Sequence, residues 1–180
     1  MRELTELGVI CRRGDIERDV APERRSYFER WLSNRDGFIK FISGNIDYIG
    51  IEEVMRMGAF FDVHCLVANQ FVSESDENSY TLFQANPFFT LRDGRLETLG
   101  WSGGILANFL SRDQLLNELF RKSIMDEQTR RISVRVANFA CVIETRIWEY
   151  HELASIYNIL DRIALNINKL TAQIHLGENI

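Results

Sequence analysis

Side chains able to do chemistry are thinly spread along this chain of 180 residues. The most suggestive run is GWSGGIL, residues 100–106. The adjacent Gly103 and Gly104 would let a ligand come close to the backbone, and free N–H groups at a helix start attract phosphate or carboxylate. With Ser102 they form a candidate anion cradle. The run lacks the lysine of a phosphate-binding loop and the spacing of a dinucleotide fingerprint. A tight strand-to-helix connection is therefore the competing reading.

Arginine supplies 18 of the 21 basic residues, a bias that suits bidentate pairing with carboxylates or phosphates. In ETRIWE, residues 144–149, strand alternation places Glu144 and Arg146 on one face. There they could orient a substrate or form an ion pair that only stabilises the sheet. Arg130, Arg131 and Arg135 lie close together in TRRISVRV, and such a patch can bind a phosphate backbone. The net charge of −5 gives no general attraction to nucleic acid or to an anionic membrane, so neither is the expected partner. The earlier basic run is interleaved with Asp15, Glu17, Asp19 and Glu23, the pattern of a salt-bridged face. A small anionic ligand is thus the chemistry shared by the binding candidates Ser102, Gly103, Gly104, Arg135 and Arg146.

No residue is nominated as catalytic, and no metal or cofactor is implied. His64 and Cys65 are neighbours, so on a strand they point to opposite faces and cannot share an ion. His151 and His175 are far apart on one helix. Cys11, Cys65 and Cys141 are odd in number and contain no CxxC pair, which points to buried free thiols. The charged N-terminus and the lack of a long apolar run give the expectation of a cytoplasmic chain without a membrane span.

These side chains need elements to hold them. Pro22 and Gly37 bracket a helix whose buried face is Phe28, Trp31 and Leu32. Ile51, Val54, Met55 and Ala59 recur at helical spacing and predict a second helix. Phe61, Val63, Cys65 and Val67 alternate as a strand does, and SESDENS reads as a loop. Asp93-Gly94 between apolar arms predicts a hairpin, with Pro87 at an edge or bulge. Ser111 and Gln114 have the form of a capping box for a helix from about Arg112 to Met125. Beyond it, apolar residues fall on even positions to Val136 and on odd ones from Phe139. That slip implies a bulge or turn near Asn138.

The best-specified element is the last. Leu153, Ile156, Leu160, Ile163, Ile167, Leu170 and Ile174 follow alternating steps of three and four, the seam of a helix over 150–175. The flanking positions carry no charge, unlike those of a free-standing zipper, and Ile159 and Leu165 widen the apolar face. One side is expected to pack on the domain's own sheet and the seam to contribute to an oligomer interface.

The expectation is a single α+β domain over 1–180, with an antiparallel sheet of about four or five strands, helices to one side and a long C-terminal helix. The functional expectation is a binding or regulatory adaptor acting as a homo-oligomer, a homodimer in the simplest case. The alternatives are an anion sensor or small enzyme with its site between sheet and helices, and phosphate-backbone binding through the Arg130–Arg135 patch.

Overall fold

A computed structural model describes residues 2–32, 37–55, 59–69, 71–92, 95–123 and 132–177. One antiparallel sheet of eight strands organises them, in the order β1-β2-β3-β4-β8-β7-β5-β6. The first half is a meander of β1 (Cys11–Arg13), β2 (Phe38–Phe41), β3 (Tyr48–Met55) and β4 (Ala59–Ala68). The hairpin of β5 (Ala85–Arg92) and β6 (Arg95–Gly103) forms the far edge. The last hairpin, β7 (Ser133–Ala137) and β8 (Ala140–Ile147), fills the middle and pairs with β4 along eight residues. Chain-distant strands therefore meet at the centre.

The expected four or five strands are corrected to eight. β1 and β2 have three and four residues, too few for alternation to register. β3 occupies the stretch whose spacing predicted a helix. Its register with β4 runs unbroken from Tyr48↔Leu66 to Met55↔Ala59. The outer half of that hairpin runs past the helices, so Glu52 and Glu53 stay exposed and two-residue alternation is lost there.

Helices cover both faces, not one. On the first face lie α1 (Arg2–Glu6), α4 (Glu77–Phe83), α5 (Ile105–Arg112), α6 (Gln114–Ser123) and α7 (Glu152–Leu176). They enclose the main core with Ile49, Val63, Cys65, Val67, Cys141 and Ile143. On the second face, α2 (Ile16–Asp19), a 3-10 turn at Pro22–Arg24 and α3 (Arg25–Leu32) lay Val20, Phe28, Trp31 and Leu32 on Phe38, Tyr48, Leu66 and Val142. Gly50 makes this docking feasible. A Cβ there would stand 1.9 Å from the Trp31 carbonyl oxygen, well inside contact distance.

Other expectations resolve locally. The phase slip is a turn: Asn138 and Phe139 join β7 to β8, with Phe139 at φ 63°. Pairing Val136 with Cys141 puts even positions opposite odd ones. Pro87 is paired to β6, while β5 touches β7 only at Ala85↔Val134, so its missing N–H leaves no ladder broken. The Asp93-Gly94 turn, Met125, Arg130 and Arg131 lie outside the described residues, but Arg92 faces Arg95 across the hairpin end. SESDENS is loop only to Asp76, whose side chain caps α4. The cap of α6 is Asp113, which accepts from the Leu116 N–H at 3.1 Å. Ser111 instead turns back to the Ala107 carbonyl.

α7 runs as a helix through the whole seam. Leu153, Ile156, Leu160, Ile163, Ile167 and Leu170 are buried in the chain itself, and Ile174 is half-buried against the same core. The second side of the helix is covered by α5 and α6. At about 1.5–3 kcal/mol for each fully buried Leu or Ile, the gross burial of this helix is comparable to a domain's whole net stability of about 5–15 kcal/mol. Its outward stripe is mostly polar, with Ser155, Asn158, Asn168 and Lys169, and turns apolar only at Ala172 and Leu176 near the C-terminal end.

Candidate functional site

The nominated ligand residues do not converge. Gly103 and Gly104 face the chain's own backbone. A Cβ on Gly104 would fall 1.3 Å from the Thr81 carbonyl oxygen, and one on Gly103 would fall 2.3 Å from that of Gln84. The Gly104 N–H is already given to the Gln84 carbonyl at 2.8 Å, and the Ser102 hydroxyl to Asn86 at 3.3 Å. SGG is therefore a tight joint between β6 and α5, with Gly103 at φ 137°, and both glycines are required by the chain's own close backbone approach on their Cβ side.

Arg135 and Arg146 lie on the opposite face of the sheet, within a polar ladder beside α3. His64 of β4, Glu144 of β8 and Ser133 of β7 form one row, and Asp62 with Arg146 forms the next. Arg146 donates to both Asp62 oxygens at 2.7 and 3.2 Å, and Arg135 donates to Glu144 at 2.6 Å. Arg135 also stacks over Trp31 at 4.4 Å, and Arg146 over Phe60 at 3.7 Å. His64 Nδ1 stands 3.5 Å from Glu144, with the His64 ring edge-on to Trp31. The depression over these groups holds about 320 Å³.

Charge accounting decides what this ladder can do. Each arginine already has a carboxylate, so an incoming anion must compete with a partner in place. Burial pushes the Glu144 pKa up, but His64 and the hydrogen bond from Arg135 overcome it and hold the carboxyl below its ordinary range. A carboxylate kept ionised accepts hydrogen bonds and cannot serve as a general acid near neutral pH. Glu144 and Arg146 do share a face, as the alternation implied, but each pairs across a strand boundary instead of converging on a common point.

Two of the three thiols are buried as expected, whereas Cys11 is only half-buried. Cys65 and Cys141 are fully buried, and desolvation drives their pKa values far above the ordinary thiol value. Among the described residues no group of three or more His, Cys, Asp or Glu could hold a metal ion. None of the described helices is long and apolar enough to cross a membrane.

A more apolar cleft lies elsewhere, between the β1–β3 end of the sheet and the start of α7. It is a cleft of about 280 Å³ with apolar walls from Leu4, Ile39, Ile49, Ile51, Leu153 and Ala154. Tyr150 and Arg13 stand at its rim, both exposed. Register explains how an arginine reaches an apolar cleft: Arg13 pairs with Ile39, and Ile39 with Ile49. Residues in one such row share a face of the sheet. Arg12 points to the other face and is held by Asp19, with one hydrogen bond of 2.8 Å. Gly37, at φ 80°, leaves room beside Arg13; a Cβ there would meet the Arg13 Nε at 3.2 Å.

Comparison with protein-family models, curated proteins and solved structures finds no match to this chain. The site residues that sequence reasoning missed are Arg13, Ile39, Ile49 and Ile51. Their signal was the strand alternation of FIKF and YIGI, hidden by the brevity of β2 and by the helical spacing within β3.

Proposed function

We propose that this chain is a small-molecule-binding domain whose ligand sits in the cleft between the β1–β3 end of the sheet and α7. The carrying observation is a half-enclosed cleft of about 280 Å³ whose walls are mostly apolar and run into the main core. Packed interiors rarely keep voids larger than a water molecule, and ligand sites are concave, mostly apolar and edged by few polar groups. The volume lies near the lower limit of the usual range of about 300–1,000 Å³, so the occupant is small. This keeps the ligand between sheet and helix, as the sensor alternative supposed, but moves it away from SGG. The test is calorimetry with medium-chain amphiphiles on the full chain, combined with backbone amide shifts. Saturable binding that perturbs Ile39, Ile49 and Leu153 supports the reading; shifts elsewhere, or none, overturn it.

A second reading, assembly of copies, is favoured by a different place from the one the seam suggested. The β5–β6 hairpin leaves the sheet after Ala85, and Phe88 and Leu91 are exposed on it. An isolated two-stranded ribbon is marginal in water, and exposed apolar side chains on it suit a second copy. Sedimentation of the intact chain and of Phe88→Asp is the check. A monomer at high micromolar concentration rules this assembly out.

A further inference from the structure

We infer that the cleft selects a singly charged amphipathic carboxylate, with Arg13 as the counter-ion of its head group. The inference rests on the cleft being a ligand site and adds the chemistry of the ligand. Three observations support it. First, none of the ion pairs and side-chain hydrogen bonds among the described residues engages the Arg13 guanidinium, whereas Arg12, Arg135, Arg146 and Arg162 all hold carboxylates. Second, Arg13 stands at the end of the sheet row that continues through Ile39 and Ile49, so a head group paired with it would place its tail on those isoleucines. Third, Asp15 and Glu17 line the depression on the far side of Arg13. The Asp15 carboxylate caps α2 by accepting from the Glu17 and Arg18 N–H groups. A dianionic phosphate head would be repelled by that pair more strongly than a monoanion. A guanidinium binds a carboxylate through two parallel hydrogen bonds.

The test compares octanoate, 1-octanol and octyl phosphate by calorimetry on the full chain and on Arg13→Gln. Because Arg13 is exposed, its substitution leaves the fold intact, which circular dichroism checks. Octanoate should bind about tenfold tighter than 1-octanol and tighter than octyl phosphate. Arg13→Gln should remove most of that preference and change octanol affinity less than about twofold. Octanoate affinity should also fall as salt rises. Equal octanoate and octanol affinities, with Ile39 and Ile49 amides shifting for both, overturn the carboxylate inference and leave the cleft reading standing. Tighter octyl phosphate overturns the choice of head group. Absence of binding by all three overturns cleft and head group together.

Discussion

Replacing Asp113 with alanine should unlatch α6 from α7. Asp113 is 5% exposed, accepts from Arg162 at 2.6 and 3.1 Å and from the Asn166 amide at 2.8 Å, and caps α6 through Leu116. Loss of the cap costs about 1 kcal/mol. Loss of a hydrogen-bonded charge partner costs about 1.5–3 kcal/mol. Arg162 is 28% exposed and can recover some hydration, so the sum stays within about 2.5–4 kcal/mol, below the upper range for a fully buried pair. With a urea slope of about 2 kcal/mol per molar, the unfolding midpoint should fall by roughly 1–2 M. Burial raises the Asp113 pKa, but its hydrogen bonds from Arg162, Asn166 and Leu116 dominate and leave it lowered. A lowered carboxylate stabilises the fold fully above its unfolded value of about 3.9 and loses that contribution as pH falls through the folded value. The difference between wild type and Asp113→Ala should therefore shrink below about pH 4. A midpoint change under about 0.5 M, or a difference unchanged between pH 7 and pH 3, would refute the latch.

Leu160→Ala should cost about 2–5 kcal/mol through its cavity without altering the sedimentation coefficient, because Leu160 faces the chain's own core; denaturation and velocity sedimentation read both. Gly104→Ala should prevent stable folding, seen as loss of the cooperative thermal transition, and inorganic phosphate should not stabilise the wild type. Gly50→Ala should destabilise by about 1–3 kcal/mol through overpacking and displace α3, with a change in Trp31 fluorescence as the reporter. Arg12 lowers the Asp19 pKa strongly, so Asp19→Asn should matter at pH 7 and lose its effect in acid, measured by thermal melts across pH.

The two ends of the chain differed in how much of their structure could be read from sequence. The seam of α7 declared itself because each step of three or four falls on a buried contact, and twenty-five helical residues average out local noise. What the pattern could not say was who covers the second side. α5 and α6 do so, and they are short segments after a glycine joint, so their packing on α7 is a matter of tertiary path. β4 was legible for a related reason: His64 and Cys65 face different layers, one polar and aromatic, the other sealed. β3 was misread because four residues at helical spacing also fit a hairpin whose outer half leaves the core. Glycine carried two meanings that spacing alone cannot separate. Gly103 and Gly104 admit the chain's own carbonyls, and a ligand cradle would have required the same residues.

Arg12 and Arg13 give the sharpest case of chemistry decided by register. They are adjacent, equal in charge and sit in one short edge strand, and the interleaved acids made both look neutralised. Pairing with β2 sends Arg12 toward Asp19, where α2 and the Tyr48 hydroxyl gather on the Asp19 backbone and side chain. The same pairing sends Arg13 to the face of Ile39 and Ile49, where no described carboxylate meets it. Shifting β1 by one residue would exchange the two faces, placing Arg12 at the cleft and Arg13 on the side of Asp19. Asp19 is 3% exposed and also takes Arg18 at 3.3 Å, but in the observed register its two oxygens are held by Arg12. The Arg12–Asp19 pair is therefore one of the contacts that favour the register leaving Arg13 available at the mouth of the cleft. Asp19→Ala should accordingly weaken octanoate binding as well as stability, although Asp19 lies on the other side of the sheet. Stability loss with unchanged octanoate affinity would separate the two faces and sink this coupling.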